Sequence, residues 1–121
     1  MVFWNYVETA FMAHNPEKNY LRTHRLRAAL TLAELSGLFG ISENTLARYE
    51  LGLRPIPTEV VIASETIFGA KGATLFPALY NNVEENLAIR ALALHDRLAG
   101  RTDPSALKKL ALINGIPGRL R

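Results

Sequence analysis

Residues 32–51, LAELSGLFGISENTLARYEL, place two short amphipathic stretches on either side of Gly40-Ile41-Ser42, and this pairing constrains the fold more than any other feature. So tight a turn favours a backbone with positive φ, which glycine adopts without a Cβ clash. Leu35, Phe39, Ile41, Leu46 and Tyr49 are the apolar positions around the turn. On two helices crossing at about 90–120° these five converge into one small core, with Ser36 small where the helices approach. Packing through Leu46 and Tyr49 leaves Glu43, Asn44, Ala47 and Arg48 on the outward face of the later helix.

The remaining chain continues in helical spacing, and no alternating strand run is evident. A first helix is predicted over 17–29, with Leu21, Leu26 and Ala29 inward. Thr31 caps the second helix, Glu34 completes a capping box three residues on, and Gly40 closes it. Ser42 caps the third, from Glu43 to about Leu51. Pro57-Thr58 opens a fourth with Val61, Ile62, Ile67 and Phe68 apolar, ended by Gly69. A short fifth helix carries Leu75, Phe76 and Leu79. A longer helix runs from about Val83 to Leu98 with a stripe of Val83, Leu87, Ala91, Leu94 and Leu98. The last starts at Asp103-Pro104, a cap followed by proline at the first helical position, and ends at Asn114-Gly115. The expected fold class is all-α.

Composition narrows the function. At 121 residues the chain is about one domain, and its 49% hydrophobic and 21% charged residues are globular. The absence of cysteine excludes disulfides, thiolate metal sites and a cysteine nucleophile. No apolar run approaches the roughly 20 residues that span a bilayer. His14, His24 and His95 lack ligand spacing, so no metal site is expected, and no cofactor. Ser, Asp and His form no nucleophile arrangement and no glycine-rich phosphate loop is present, so no enzyme is expected. The formal charge is +3. It permits a nucleic-acid partner without arguing for one.

The segment around the turn resembles the helix-turn-helix of the lambda-repressor/Cro family, also called XRE. The likeness runs from about Tyr20 to Leu79. It rests on Leu30-Thr31, Ala33-Glu34-Leu35, Gly40-Ile41-Ser42, Thr45-Leu46-Ala47-Arg48-Tyr49-Glu50, Gly52, Arg54-Pro55 and Leu75-Phe76-Pro77 in register. The resemblance implies a five-helix DNA-binding domain over 17–80, plus one or two further helices in 81–121. It implies that the third helix enters the major groove, with Glu43, Asn44 and Arg48 facing bases and Thr45 nearer the phosphates. Asn44 suits an adenine edge, Arg48 a guanine edge, and Glu43 can accept from cytosine N4. Arg54 and Arg22 are placed for phosphate contacts. Arg25 and Glu50 match a structural ion pair of the family. One departure stands out: the family often has glutamine where this chain has Leu32, which can brace neither a phosphate nor the recognition helix.

Plainer roles compete with several of these. Glu43 also suits the positive end of a helix dipole. Thr45 fits phosphate contact or local capping, and Tyr49 fits the core better than DNA stacking. Residues 1–16 are an aromatic extension: either a short helix packing Phe3, Val7 and Phe11, or sequence ahead of a true start at Met12. The 83–98 stripe suits a dimer seam or packing onto the domain. Residues 97–121 set six cations against Asp103 alone, a net of +5. That basic tail could meet phosphates, an acidic protein, or only solvent.

The resulting expectation is a cytoplasmic transcriptional regulator of bacterial or phage origin. It would bind double-stranded DNA sequence-specifically as a homodimer, acting as a repressor, with no membrane partner. The alternative is an interaction module that uses the same fold to bind and mask a partner protein.

Overall fold

The computed structural model, which describes residues 19–121, shows the side chains of Thr31, Ser42 and Asp103 each capping the helix that follows it. Seven α-helices are present among the described residues, with no strand: α1 (Leu21–Arg27), α2 (Leu32–Phe39), α3 (Glu43–Glu50), α4 (Thr58–Phe68), α5 (Gly72–Leu75), α6 (Pro77–Leu98) and α7 (Pro104–Asn114). The all-α expectation holds. The extension at 1–16, with Phe3, Val7, Phe11, Met12 and His14, lies outside the described residues.

Thr31 accepts from the Glu34 amide at 3.0 Å, and the Glu34 carboxylate accepts from the Thr31 amide at 2.9 Å, a reciprocal capping box on α2. Those bonds hold the Glu34 carboxyl below its ordinary pKa. Ser42 caps α3 by accepting from the Thr45 amide at 3.1 Å. Three helices end the same way. At the ends of α1, α2 and α3 the Leu30, Ile41 and Leu53 amides donate back to the Arg25, Ser36 and Arg48 carbonyls, at 2.9 to 3.1 Å. Between each such pair sits a residue with positive φ: Ala29 at 60°, Gly40 at 71° and Gly52 at 72°. This closure satisfies carbonyls that the last turn would leave orphaned.

The chain divides into two compact units that part between Tyr80 and Asn81. In the first, Leu21, Leu35, Leu46, Leu75 and Phe76 are almost fully buried, joined by Tyr49, Ile56, Val60 and Val61. The Tyr20 amide donates to the Leu75 carbonyl at 2.9 Å, tying the start of α1 to the end of α5. In the second, Leu98, Ala106 and Ile113 form a small core with Ala91, Leu94 and Leu110 against it. Asp103 caps α7 and is held bidentately by Arg101 at 3.0 Å. The Arg121 guanidinium donates to Glu84 at 2.8 Å and to Asn81 at 3.0 Å.

Several expectations need correction. The first helix is shorter than 17–29. Its Leu26 is 56% exposed and Ala29 is exposed, because Leu21 and Arg25, four apart, take the buried row. Ile62 is exposed because α4 buries Val60, Val61 and Ser64 instead. The fifth helix stops at Leu75, and the long helix starts at Pro77, so Leu79 belongs to the latter. Proline is suited to that first position, where its missing N–H costs nothing. Along the 83–98 stripe, Ala91, Leu94 and Leu98 pack on the second core while Val83 and Leu87 stay exposed. A 3-10 turn at Pro117–Arg119 follows α7 and was not anticipated.

Two outcomes follow from this geometry. Alanine at a left-handed position is strained where glycine is not, and Ala29 is exposed, so nothing is lost by trimming it. Ala29→Gly should raise the unfolding free energy by about 0.5–1 kcal/mol in urea titration, the relieved strain being partly offset by a looser unfolded chain. In the second unit, Arg121 and Arg101 hold the Glu84 and Asp103 carboxyls below their ordinary values. A depressed folded-state pKa contributes stability above the unfolded value and loses it as pH falls through the folded one. The fall in Tm between pH 7 and about pH 3 should therefore be smaller in Glu84→Gln/Asp103→Asn than in the parent chain, as read by circular dichroism.

Candidate nucleic-acid interface

α3 is held on its inner side at four points. Leu46 is fully buried and Tyr49 is 8% exposed. The Tyr49 carbonyl accepts from Asn19 Nδ2 at 2.9 Å. Glu50, at the last turn, takes both forks of Arg25: Nε to Oε2 at 2.7 Å and Nη2 to Oε1 at 3.1 Å. Arg25 Nη1 donates in addition to the Leu30 carbonyl at 3.1 Å. The side chains of this pair are only 11% and 5% exposed. Hydrogen bonding to Glu50 pushes the Arg25 pKa further above its already high value, outweighing the opposing effect of burial.

With the inner side so fixed, helical geometry of about 100° per residue turns positions 43, 44, 47, 48 and 51 outward. Glu43, Asn44 and Arg48 are exposed. Thr45 is half-buried at the edge of this face, and its hydroxyl oxygen accepts from Ser42 Oγ at 2.8 Å. Arg54 is exposed in the loop after α3, and Arg22 is exposed on α1.

Arg22 also lines a groove of about 190 Å3 with Arg25, Leu32, Ala47, Glu50 and Leu51. Sequence reasoning placed Ala47 outward but did not single out this groove. Its walls come from three helices, so only the four-residue spacing of Ala47 and Leu51 hinted at it. A second cleft, of about 260 Å3, lies within the second unit between α6 and the end of the chain, with largely apolar walls that include Leu92, His95 and Ile113. No group of three potential metal ligands gathers among the described residues.

The geometry is two short helices joined at a left-handed glycine, with the second helix presenting polar side chains from a clamped frame. A family model described as a helix-turn-helix domain matches residues 19–75. Residues 19–75 are a helix-turn-helix domain. No curated protein and no solved structure matches the chain. A helix-turn-helix domain supports DNA binding, and no described helix is long and apolar enough to cross a membrane.

The clamp on α3 can be tested by itself. Arg25→Met leaves the Glu50 carboxylate buried without a partner, which should cost about 3–5 kcal/mol in urea denaturation. Arg25→Met combined with Glu50→Leu should cost markedly less than the single change, because no orphan charge remains.

Proposed function

We propose that the protein is a sequence-specific DNA-binding transcriptional regulator of the lambda-repressor/Cro kind, using α3 to read the major groove. The observation that carries this is the outward row of α3, Glu43, Asn44 and Arg48, presented by a helix whose inner side is fully anchored. Asn44 can bond an adenine edge in bidentate fashion and Arg48 a guanine edge, and Glu43 can accept from cytosine N4. Thr45, Arg22 and Arg54 would meet phosphates, which position the domain without carrying sequence information.

One recognition helix spans only a few base pairs. The proposed operator is accordingly a pair of half-sites about 34–36 Å apart, bound by a homodimer. Repression would follow from occupying promoter DNA, in the cytoplasm of the cell that hosts the gene, with no catalytic step. Control would then come through abundance, proteolysis or a partner protein.

Selection of bound duplexes from a random pool at about 150 mM salt tests the reading. The expected result is a two-fold symmetric motif with fixed half-site spacing. Asn44→Ala and Arg48→Ala should each reduce discrimination at their own base position by at least about fivefold, with the helical content unchanged. Recovery of only salt-sensitive, sequence-indifferent DNA would overturn the proposal and leave partner-protein masking as the role of the fold.

A further inference from the structure

Residues 81–121 carry seven basic and four acidic side chains, yet none of them lines the cleft of the second unit. That cleft opens on one flank of the helix pair. On α6 the flank is the row Ala88, Leu92 and His95, spaced by four and three, all three lining the cleft. On α7 the same spacing puts Leu107 and Ala111 in one row with Asn114, which lines it from the other side. Leu92 is 63% exposed and Leu107 52%. Ala91, Leu94 and Leu98 face the unit's own core, so the open row of α6 lies beside that stripe and not on it. The core itself has only Leu98, Ala106 and Ile113 buried. A unit of about 40 residues seldom buries enough apolar surface to hold itself unaided.

We infer that this uncharged flank is where two copies of the chain join, the α6–α7 pairs packing against each other about a two-fold axis. The inference rests on the homodimer proposed above and names its surface. A two-fold contact sets a patch against itself, so every charge on the patch meets a like charge close by. The second unit has a net charge of +3 and repels its copy through any basic face. The flank is where the two helices carry no charge, so it alone meets itself without that cost. An acidic partner would instead be drawn to Lys108 and Lys109, which lie off this row. Leu92 stands on the rim of the cleft, so the patch offers both a projection and a hollow to its copy. With α7 about 16 Å long and each helix about 10 Å across, the patch falls short of the roughly 800 Å2 per partner of a standard interface. Association is therefore reversible, and paired half-sites on DNA complete it. The surface lies outside the helix-turn-helix domain, which ends at residue 75.

Sedimentation equilibrium of the full chain over rising concentration tests this, and the expected result is reversible monomer–dimer exchange. Leu92→Glu and Leu107→Glu alter exposed positions, so each chain should stay folded by circular dichroism. Each should weaken the dimer at least about tenfold, because a charge would then be buried against its own copy. Ile62→Glu, at a similarly exposed apolar position on α4, should leave the dimer unchanged. A chain that stays monomeric at every concentration overturns the inference. So does a dimer that Ile62→Glu weakens and that Leu92→Glu and Leu107→Glu do not, and the homodimer then stands on another surface. The reading role of α3 is scored separately: a single half-site motif selected by a monomer would leave that role in place while this inference falls.

Discussion

The Arg25–Glu50 ion pair is the constraint on which the placement of α3 depends. Arg25 lies on the buried row of α1, bonds the Leu30 carbonyl in the loop that follows, and grips Glu50 at the far end of α3. One planar guanidinium thus clasps three chain segments. Lysine could not substitute, since its ammonium is a single point charge without the fork that matches a carboxylate. Taking both charges out of water is costly, so such a pair adds little net stability over apolar residues of equal size. What it adds is orientation. Any slide of α3 along its axis would separate two bonds from a buried acid at once. Its membership of the frame also takes Arg25 and Glu50 out of the reckoning as DNA contacts.

The ends of the helices show why so much of the domain was legible in advance. Thr31 with Glu34, Ser42, Gly40, Gly69 and Asp103-Pro104 act through bonds to residues at most four positions away, so local spacing alone identifies them. Burial is not local. Leu26 and Ile62 are apolar at helical spacing, yet both are exposed, because which side of a helix faces inward is settled by its neighbours. On α1 a charged residue took the buried row, which a rule that sends apolar residues inward cannot foresee. Leu79 has the spacing to continue the fifth helix, yet it belongs to the next one, which Pro77 begins. Ala29 was read as packing when its work is to turn the chain at positive φ.

The same division holds at the candidate site. The outward row of α3 was legible, because Leu46 and Tyr49 identify the inner side and helical geometry supplies the rest. The groove was not, since Arg22, Leu32 and Leu51 belong to α1, the start of α2 and the end of α3. In sequence, Leu32 registers only as a missing glutamine. In space it completes an apolar wall.

This placement bears on how such a protein would divide affinity from specificity. Beside α3 the exposed cations are Arg22, Arg48 and Arg54, set against Glu43. If Arg48 is spent on a base edge, two remain for phosphates in each copy. Affinity falls with salt at a slope of about 0.9 per phosphate neutralised, so two such contacts carry only a small electrostatic component. The basic tail adds less than its +5 suggests, because Arg121 is engaged with Glu84, a carboxylate outside the tail. Under the proposed function, a surface with so little general attraction for the duplex would gain occupancy from base contacts and from joining two copies. Sequence-indifferent binding then competes weakly. The lean charge that looks unfavourable for affinity would therefore favour discrimination.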